Sequence, residues 1–150
     1  MSMSFNHRVA GIALREEHVL LHRPDGYDFW FLPGGHIELG ETAAEALLRE
    51  MQEELDCTVE VSRLVWIMEN FFTGSNCERL HEVAWYFLMN TPALCEYPLD
   101  QPFRGMEANR KLTFQWYPRD QLAELPLYPV ALRTGLRALP TTIMHLVAHE

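Results

Sequence analysis

One stretch of the sequence, Gly35-His-Ile-Glu-Leu-Gly-Glu41 followed by Thr42-Ala-Ala-Glu-Ala-Leu-Leu-Arg-Glu-Met-Gln-Glu-Glu-Leu55, decides the fold prediction. Thr42 has Glu45 three residues later, which is the spacing of a helix capping box. No glycine or proline occurs between Thr42 and Leu55, and good helix formers dominate this interval. The interval is therefore predicted to be a helix. Its apolar residues recur at helical spacing and predict a buried stripe of Ala44, Leu48, Met51 and Leu55.

Three glutamates of this helix, Glu50, Glu53 and Glu54, stand at i, i+3 and i+4, so their carboxylates share one face. Like charges at this spacing weaken a helix unless a positive charge lies among them. Hard oxygen ligands suit Mg²⁺ or Mn²⁺, which keep several waters and also bind substrate phosphates. Such a cation would stabilise charge on phosphate oxygens and lower the pKa of a bound water. A spare glutamate would then take the proton of that water.

The neighbours of these acids distinguish a site from the alternative, the solvated face of an amphipathic helix. Arg49 lies about 100° round the helix from Glu50. From there its guanidinium would hold Glu41, or one of the acids, through two hydrogen bonds. Gly34 and Gly35 have no side chain and would let a backbone carbonyl approach the cation.

Short runs rich in β-branched and aromatic residues predict strands at 9–14, 19–22, 29–32, 58–72, 82–89 and 112–117. Pro118 is predicted to begin a short helix that ends at Leu122, and residues 130–139 predict a last helix. The segment from Thr91 to Arg110 contains three prolines and predicts a surface loop. Residues 141–150 predict an added edge strand or a dimer contact. Strands mixed with few helices predict an α/β sandwich around one mixed sheet.

The composition restricts the class of protein. The chain has 150 residues, of which 48% are hydrophobic and 22% charged, so one domain with a packed core is expected. The formal net charge of -9 argues against a protein that grips nucleic acid, which normally presents a basic face. Three cysteines without CxxC spacing indicate neither a disulfide framework nor a zinc site. Without a signal-peptide pattern or a membrane-spanning apolar run, a cytoplasmic protein is expected.

With these residues in place, the sequence resembles the Nudix family, whose box follows the pattern G-x5-E-x7-R-E-U-x-E-E-x-G-U, with U a bulky apolar residue. The positions that match are Gly35, Glu41, Arg49, Glu50, Met51, Glu53, Glu54 and Cys57. Asp56 stands where the pattern has glycine. Because Asp tolerates the left-handed conformation that ends many helices, this departure is expected to cost some stability rather than the chemistry.

The resemblance implies a Nudix-type α/β/α sandwich around a mixed β-sheet, formed by a single Nudix hydrolase domain over residues 1–150. It also implies that the box binds Mg²⁺ or Mn²⁺. In this scheme Glu53 and Glu54 are metal ligands, and Glu50 is a ligand or the general base. The Gly34 carbonyl completes part of the metal shell, Glu41 supports it, and Arg49 orients the glutamates.

The family does not keep its general base in one place, so acids outside the box are further candidates. They are Glu82, Glu96 and Glu107. Glu107 is favoured among them because it precedes the last predicted strand, in a loop from which such a residue reaches the metals.

Four residues are candidates for contact with the substrate. Arg23 would touch a phosphate, although a surface arginine is the alternative. Trp30, Phe71 and Phe72 offer rings for stacking on a base, although aromatic residues on strands usually pack in the core. Alternation along a strand places Phe71 and Phe72 on opposite faces.

The leading hypothesis is a hydrolase that cleaves the phosphoanhydride of a nucleoside diphosphate-X substrate by water attack on phosphorus. Nucleoside triphosphates, ADP-ribose and other sugar nucleotides remain open as substrates. The alternative is an inactive Nudix-fold sensor that binds a nucleotide or metabolite without cleaving it. The expected partner is therefore a small nucleotide-type molecule rather than nucleic acid or membrane, and a homodimer is a fair expectation for this family.

Overall fold

Two β-sheets carry the fold, and the larger one is mixed. In the computed structural model, which describes residues 2–150, this sheet contains five strands. In spatial order they are β4 (Gly34–His36), β1 (Met3–Ile12), β6 (Arg79–Asn90), β5 (Glu60–Thr73) and β9 (Met144–His149). The β1–β6 and β5–β9 pairs are parallel, whereas β1–β4 and β5–β6 are antiparallel. The mixed α/β fold predicted from the sequence is confirmed.

The second sheet is antiparallel and was not predicted as a separate layer. Its strands, in spatial order, are β2 (Leu14–Arg15), β3 (His18–Pro24), β8 (Leu112–Pro118) and β7 (Phe103–Arg104). Only Ala13 separates β1 from β2, so the predicted strand 9–14 is divided between the two sheets. The predicted strand 29–32 forms only isolated bridges, from Phe31 to His22 and from Trp30 to Leu127.

Buried apolar side chains form two clusters on opposite faces of the strands. One cluster includes Leu21, Trp30 and Tyr86. The other includes Leu20 and Trp116 together with helical residues near Leu47. Because successive side chains of a strand point to opposite faces, the neighbours Leu20 and Leu21 enter different clusters.

Helix α1 (Ala43–Leu55) covers the second of these clusters. The Thr42 side chain accepts a hydrogen bond from the Glu45 backbone N–H at 3.1 Å, as the capping-box spacing predicts. Asp56 ends the helix in the left-handed conformation, with φ 49°, so the departure from glycine is accommodated there.

The predicted buried stripe of α1 is partly wrong. Met51 and Leu55 are buried, but Leu48 is 41% exposed and Ala44 only half-buried. Ala46 and Leu47 lie inside in their place, together with Glu50 and Glu54. The inward face of the helix is therefore rotated from the predicted stripe toward Glu50 and Glu54.

The remaining elements adjust several predicted boundaries. The segment predicted as one loop between Thr91 and Arg110 contains a 3-10 helix (Pro92–Glu96) and β7. The short helix after Pro118 is a 3-10 helix (Arg119–Glu124), and the predicted helix 130–139 is reduced to α2 (Leu132–Gly135). The C-terminal segment forms the edge strand β9, which is one of the two alternatives that the sequence left open. Within residues 2–150, no helix combines the length and the apolar character needed to cross a bilayer.

Candidate active site

Glu54 is the most deeply buried acid at the box helix, with no exposed surface. Its Oε2 atom lies 3.8 Å from Nδ1 of His22, a buried residue of β3. Neither of these two atoms has a hydrogen-bond partner among residues 2–150. The other oxygen, Oε1, lies 3.5 Å from Nη1 of Arg110. Glu54 therefore presents one buried oxygen that the rest of the described chain leaves unsatisfied, which is costly unless a ligand supplies a partner.

Burial controls the protonation of this pair. Burial, and after it the charge of Glu50, raises the pKa of Glu54 to about 8. Burial also lowers the pKa of His22 to about 3, with smaller contributions from Arg8 and Arg110. At neutral pH the surroundings thus favour the uncharged forms of both side chains, and their 3.8 Å approach is not an ion pair.

Glu50 lies directly against Gly35, and Gly34 lies directly against the backbone of β1. A Cβ atom added at Gly35 would overlap the Glu50 carboxyl group, and one added at Gly34 would overlap the Val9 carbonyl of β1. Burial raises the pKa of Glu50 as well. Both glycines are therefore required by close approach, and Gly35 is required specifically to admit a carboxylate beside β4.

Arg49 connects the loop before the helix to the acids on it. Its guanidinium donates to both carboxylate oxygens of Glu41, at 2.8 and 2.9 Å, and to the His36 carbonyl at 2.9 Å. It also lies 3.1 Å from Oε1 of Glu50 and 3.3 Å from Oε2 of Glu53. The Arg49 hydrogen bonds hold the pKa of Glu41 at about 2. The two-pronged contact with Glu41 that the spacing suggested is thus present.

The box acids fit a divalent cation, although they do not enclose one by themselves. Among residues 2–150, no three acidic, histidine or cysteine side chains converge closely enough to surround a metal ion. Glu53 is the most exposed of the three glutamates, with 47% of its side chain accessible. The fit rests on the unpartnered Oε2 of Glu54 and on the raised pKa of both Glu50 and Glu54, because an added positive charge would stabilise both carboxylates.

The acids proposed as an external base occupy three different places. Glu107 lies close enough to Glu54 for its charge to raise the Glu54 pKa, and the adjacent Met106 N–H donates to the Glu54 carbonyl at 2.7 Å. Glu82 is buried on β6 and lines a cavity. Glu96 is exposed on the 3-10 helix, and no hydrogen bond or ion pair joins it to the box acids within residues 2–150. Of the three, Glu107 is the one whose charge acts on a box glutamate, whereas the charge of Glu82 acts on His36 of the box.

A cavity of about 630 Å³ lies beside the box, and β1 forms part of its wall. The β1 residues Arg8, Val9 and Ala10 line it, and the same three residues pair with His36, Gly35 and Gly34 of β4. Its aromatic lining residues are Phe29, Phe31, Phe72, Tyr86 and Tyr128. Its volume falls in the range of about 300–1,000 Å³ that is typical of small-molecule sites.

The four residues predicted to contact substrate separate in the structure. Phe72 lines the cavity, whereas Phe71 stacks between His81 and His149 on the opposite face of the sheet, as alternation requires. Trp30 is 8% exposed and belongs to the core, and the Arg23 guanidinium lies 5.2 Å from its ring centre. Packing therefore accounts for Trp30 and Phe71, and Arg23 is engaged with Trp30 rather than with the cavity.

Sequence reasoning missed Arg8, Asn70 and His22. Arg8 precedes the predicted start of the first strand, and the extension of β1 back to Met3 brings it into the cavity wall. Alternation of apolar and polar residues from Met3 to Asn6 was the available signal. Asn70 and His22 lie inside apolar strands, where no motif marks them.

The chain matches the model of the NUDIX domain over residues 5–137. YjhB of Bacillus subtilis (strain 168), named as a candidate ADP-ribose pyrophosphatase, is 30% identical over 78% of this chain and 52% of its own length. A MutT-like protein of Streptomyces ambofaciens is 41% identical over 44% of each chain. The chain thus spans about half the length of these curated relatives.

Solved structures agree on the fold. An ADP-ribose pyrophosphatase from Streptococcus suis 89-1591 superposes with a TM-score of 0.60 and 19% identity, covering 95% of this chain and 98% of the other. The mutator MutT protein from Bacillus halodurans gives a TM-score of 0.65 and 20% identity, with 96% and 89% covered. At these identities the likeness establishes the architecture alone. Because the domain model spans most of the sequence, the chain belongs to the NUDIX family.

Proposed function

We propose that this protein is a divalent-metal-dependent pyrophosphohydrolase, which cleaves a phosphoanhydride bond in a nucleoside diphosphate linked to a further group. One observation carries the proposal: the buried, unpartnered Oε2 of Glu54 lies on the same helix face as Glu50, which sits against Gly35. Ionising two buried acids beside a glycine turn costs free energy, which a bound cation would offset. The pyrophosphatase and MutT names of the relatives agree with this assignment.

Glu50, Glu53, Glu54 and the Gly34 carbonyl would hold Mg²⁺ or Mn²⁺. The bound cation would supply charge stabilisation for phosphate oxygens and would lower the pKa of a water molecule. Glu53 would turn from its contact with Arg49 toward the other two acids, which its exposure permits. An incomplete protein cage suits Mg²⁺, because this ion keeps several waters and takes substrate phosphates as ligands.

The remaining residues would position substrate and move the proton. Arg49 fixes the loop by binding Glu41 and the His36 carbonyl together. Glu107 would accept the proton of the attacking water, and the Met106–Glu54 backbone hydrogen bond, which ties its loop to the end of α1, supports this role. Arg8 lines the cavity, within electrostatic range of Glu54, and would donate hydrogen bonds to an oxygen of the substrate.

The cavity would hold the nucleoside. Its aromatic walls, Phe29, Phe72 and Tyr86 among them, offer flat apolar surfaces for a base, and its volume of about 630 Å³ accommodates a base with its sugar. In this arrangement the phosphates extend past Arg8 toward the box acids. Nucleoside triphosphates, ADP-ribose and sugar nucleotides all have this shape.

The test is product analysis by chromatography with Mg²⁺ and a panel of nucleoside triphosphates, ADP-ribose, sugar nucleotides and dinucleoside polyphosphates. Wild type should cleave at least one member, and Glu54→Gln should be slower by roughly 100-fold or more. Glu124→Gln, an exposed change on the 3-10 helix, is the matched control and should keep wild-type activity. Binding of an intact nucleotide without any product would instead identify a sensor and overturn the hydrolase proposal.

A further inference from the structure

Two polar side chains, Asn70 and Glu82, lie together in the otherwise apolar cavity. They face each other across β5 and β6, and they are 2% and 7% exposed. The Asn70 amide Nδ2 donates to Oε1 of Glu82 at 3.4 Å, while Asn70 Oδ1 is buried without any hydrogen-bond partner among residues 2–150. Both residues line the cavity. The proposed hydrolysis uses Glu107 as the base and gives no role to the Asn70–Glu82 pair.

The orientation of the Asn70 amide follows from its neighbour. If the amide were turned over, its oxygen would face a carboxylate oxygen of Glu82, and two acceptors would repel. With Nδ2 toward Glu82, the pair presents the Asn70 oxygen and the second Glu82 oxygen as free acceptors. Buried acceptors are costly when unpaired, so these two call for N–H donors on whatever occupies the cavity.

Arg8 supplies the complementary group. It lies on β1, the strand beside β6, and its register partner is Ala84, two residues beyond Glu82. The Arg8 side chain makes no hydrogen bond or ion pair with any other residue in the range 2–150 that the structure describes. The cavity wall thus offers two acceptors next to one donor, between aromatic surfaces.

We propose that Asn70 and Glu82 select the base of the substrate, and that they favour a guanine-type edge. This inference rests on the proposed function, because it assumes that the cavity holds a nucleoside. The two free acceptors, one on each residue, would accept two adjacent N–H groups. Guanine offers a ring N–H beside an amino group, with a carbonyl next to them for Arg8. Adenine and cytosine place a ring acceptor beside their amino group, and uracil has a single N–H between two carbonyls.

Base discrimination by hydrolysis tests the inference directly. We expect wild type with Mg²⁺ to favour GTP over both ITP and ATP in kcat/KM by roughly tenfold or more, because buried groups left unpaired penalise the analogue. ITP differs from GTP only by the missing amino group. Glu82→Gln, of the same shape, replaces one acceptor with a donor and should bring the GTP to ITP ratio toward one. Asn70→Leu should reduce the same ratio.

The matched control is Glu69→Gln, on the opposite face of β5, where Glu69 contacts His145. It should leave the base preference unchanged. A wild type that treats the three triphosphates alike, or a Glu82→Gln ratio equal to that of wild type, would overturn the inference while the hydrolase proposal stands.

Calorimetric binding of GMP, IMP and AMP separates the two proposals if no triphosphate is cleaved. A preference for GMP that Glu82→Gln removes would support base selection in a protein that does not hydrolyse. Equal binding, or no binding, of the three monophosphates would overturn base selection as well.

Discussion

Arg49 and Glu41 share a two-pronged ion pair, with donor–acceptor distances of 2.8 and 2.9 Å, that ties the loop before α1 to the middle of the helix. The same guanidinium reaches the His36 carbonyl and the carboxylates of Glu50 and Glu53. One side chain therefore fixes the position of the loop relative to two proposed metal ligands. Its planar fork, rather than its charge alone, makes the parallel contacts.

Arg49→Lys keeps the charge but removes the fork. We expect kcat with Mg²⁺ to fall by roughly 10- to 100-fold, the usual cost of losing a residue that orients metal ligands. Steady-state kinetics of the most active substrate would measure this, with circular dichroism to confirm that the helix remains. Glu41→Gln, which removes the partner charge, should produce a loss of similar size. A lysine variant with wild-type kcat would show that the fork does not position the acids.

Glu54 predicts an unusual pH dependence of stability when metal is withheld. Its pKa in the fold is raised to about 8, from an ordinary value of 4.5. A raised pKa means that the stabilising contribution is complete below pH 4.5 and is lost as the pH rises through 8. In EDTA, wild type should therefore lose stability between pH 5 and pH 8.5 relative to Glu54→Gln, by on the order of 3 kcal/mol.

Urea denaturation at the two pH values measures that difference. Adding Mg²⁺ at pH 8.5 should restore the stability that wild type loses, because the cation binds the ionised carboxylate of Glu54. The Glu54→Gln variant lacks this carboxylate and should gain less. If the unfolding free energies of the two proteins changed with pH in the same way in EDTA, Glu54 would not be a buried acid whose ionised form needs a metal ion.

For His22 we expect the opposite dependence, a loss of stability as the pH is lowered. Burial lowers its pKa to about 3, from an ordinary value of 6.5. Its contribution to stability is complete above pH 6.5 and is lost as the pH falls toward 3, because the unfolded chain takes up the proton first. His22→Phe cannot be protonated, and the edge-on contacts with Phe31 and Phe114 suit a ring.

We expect wild type to lose about 3 kcal/mol more stability than His22→Phe between pH 7 and pH 4. The slope of unfolding free energy against pH is the quantity to compare, since the substitution also changes packing at every pH. Identical slopes would mean that His22 is solvated or paired in the native protein.

Local signals explain which parts of the structure the sequence predicted well. The N-cap at Thr42 and the left-handed end at Asp56 depend only on neighbouring residues, and both are present. The separation of Phe71 from Phe72 follows from alternation along a strand, and it too is present. Burial of Glu50 and Glu54 was not predictable from periodicity, because a helical pattern assigns charged residues to solvent.

The cavity could not be predicted because strand register creates it. Asn70 and Glu82 are twelve residues apart in the chain and meet only through β5–β6 pairing. The parallel pairing of β1 with β6 brings Arg8 close to them, and these two strands are still farther apart in the sequence. Single-sequence patterns identify strands but not their order or register, and a slip of one residue would turn all three side chains to the other face.

Gly35 tests whether the approach of Glu50 to the box turn matters for function. A methyl group at Gly35 would overlap the Glu50 carboxyl, so Gly35→Ala should displace that carboxyl at a cost of about 1–3 kcal/mol. Activity with Mg²⁺ should fall by more than roughly tenfold, because the carboxylate proposed as a metal ligand moves. Gly40→Ala is the comparison: its methyl meets no atom within 4 Å, although its φ of 87° strains the loop. Thermal denaturation and initial rates of both variants separate the effects. If Gly35→Ala lost stability but kept its rate, the Glu50 carboxylate would not be a ligand in the working enzyme.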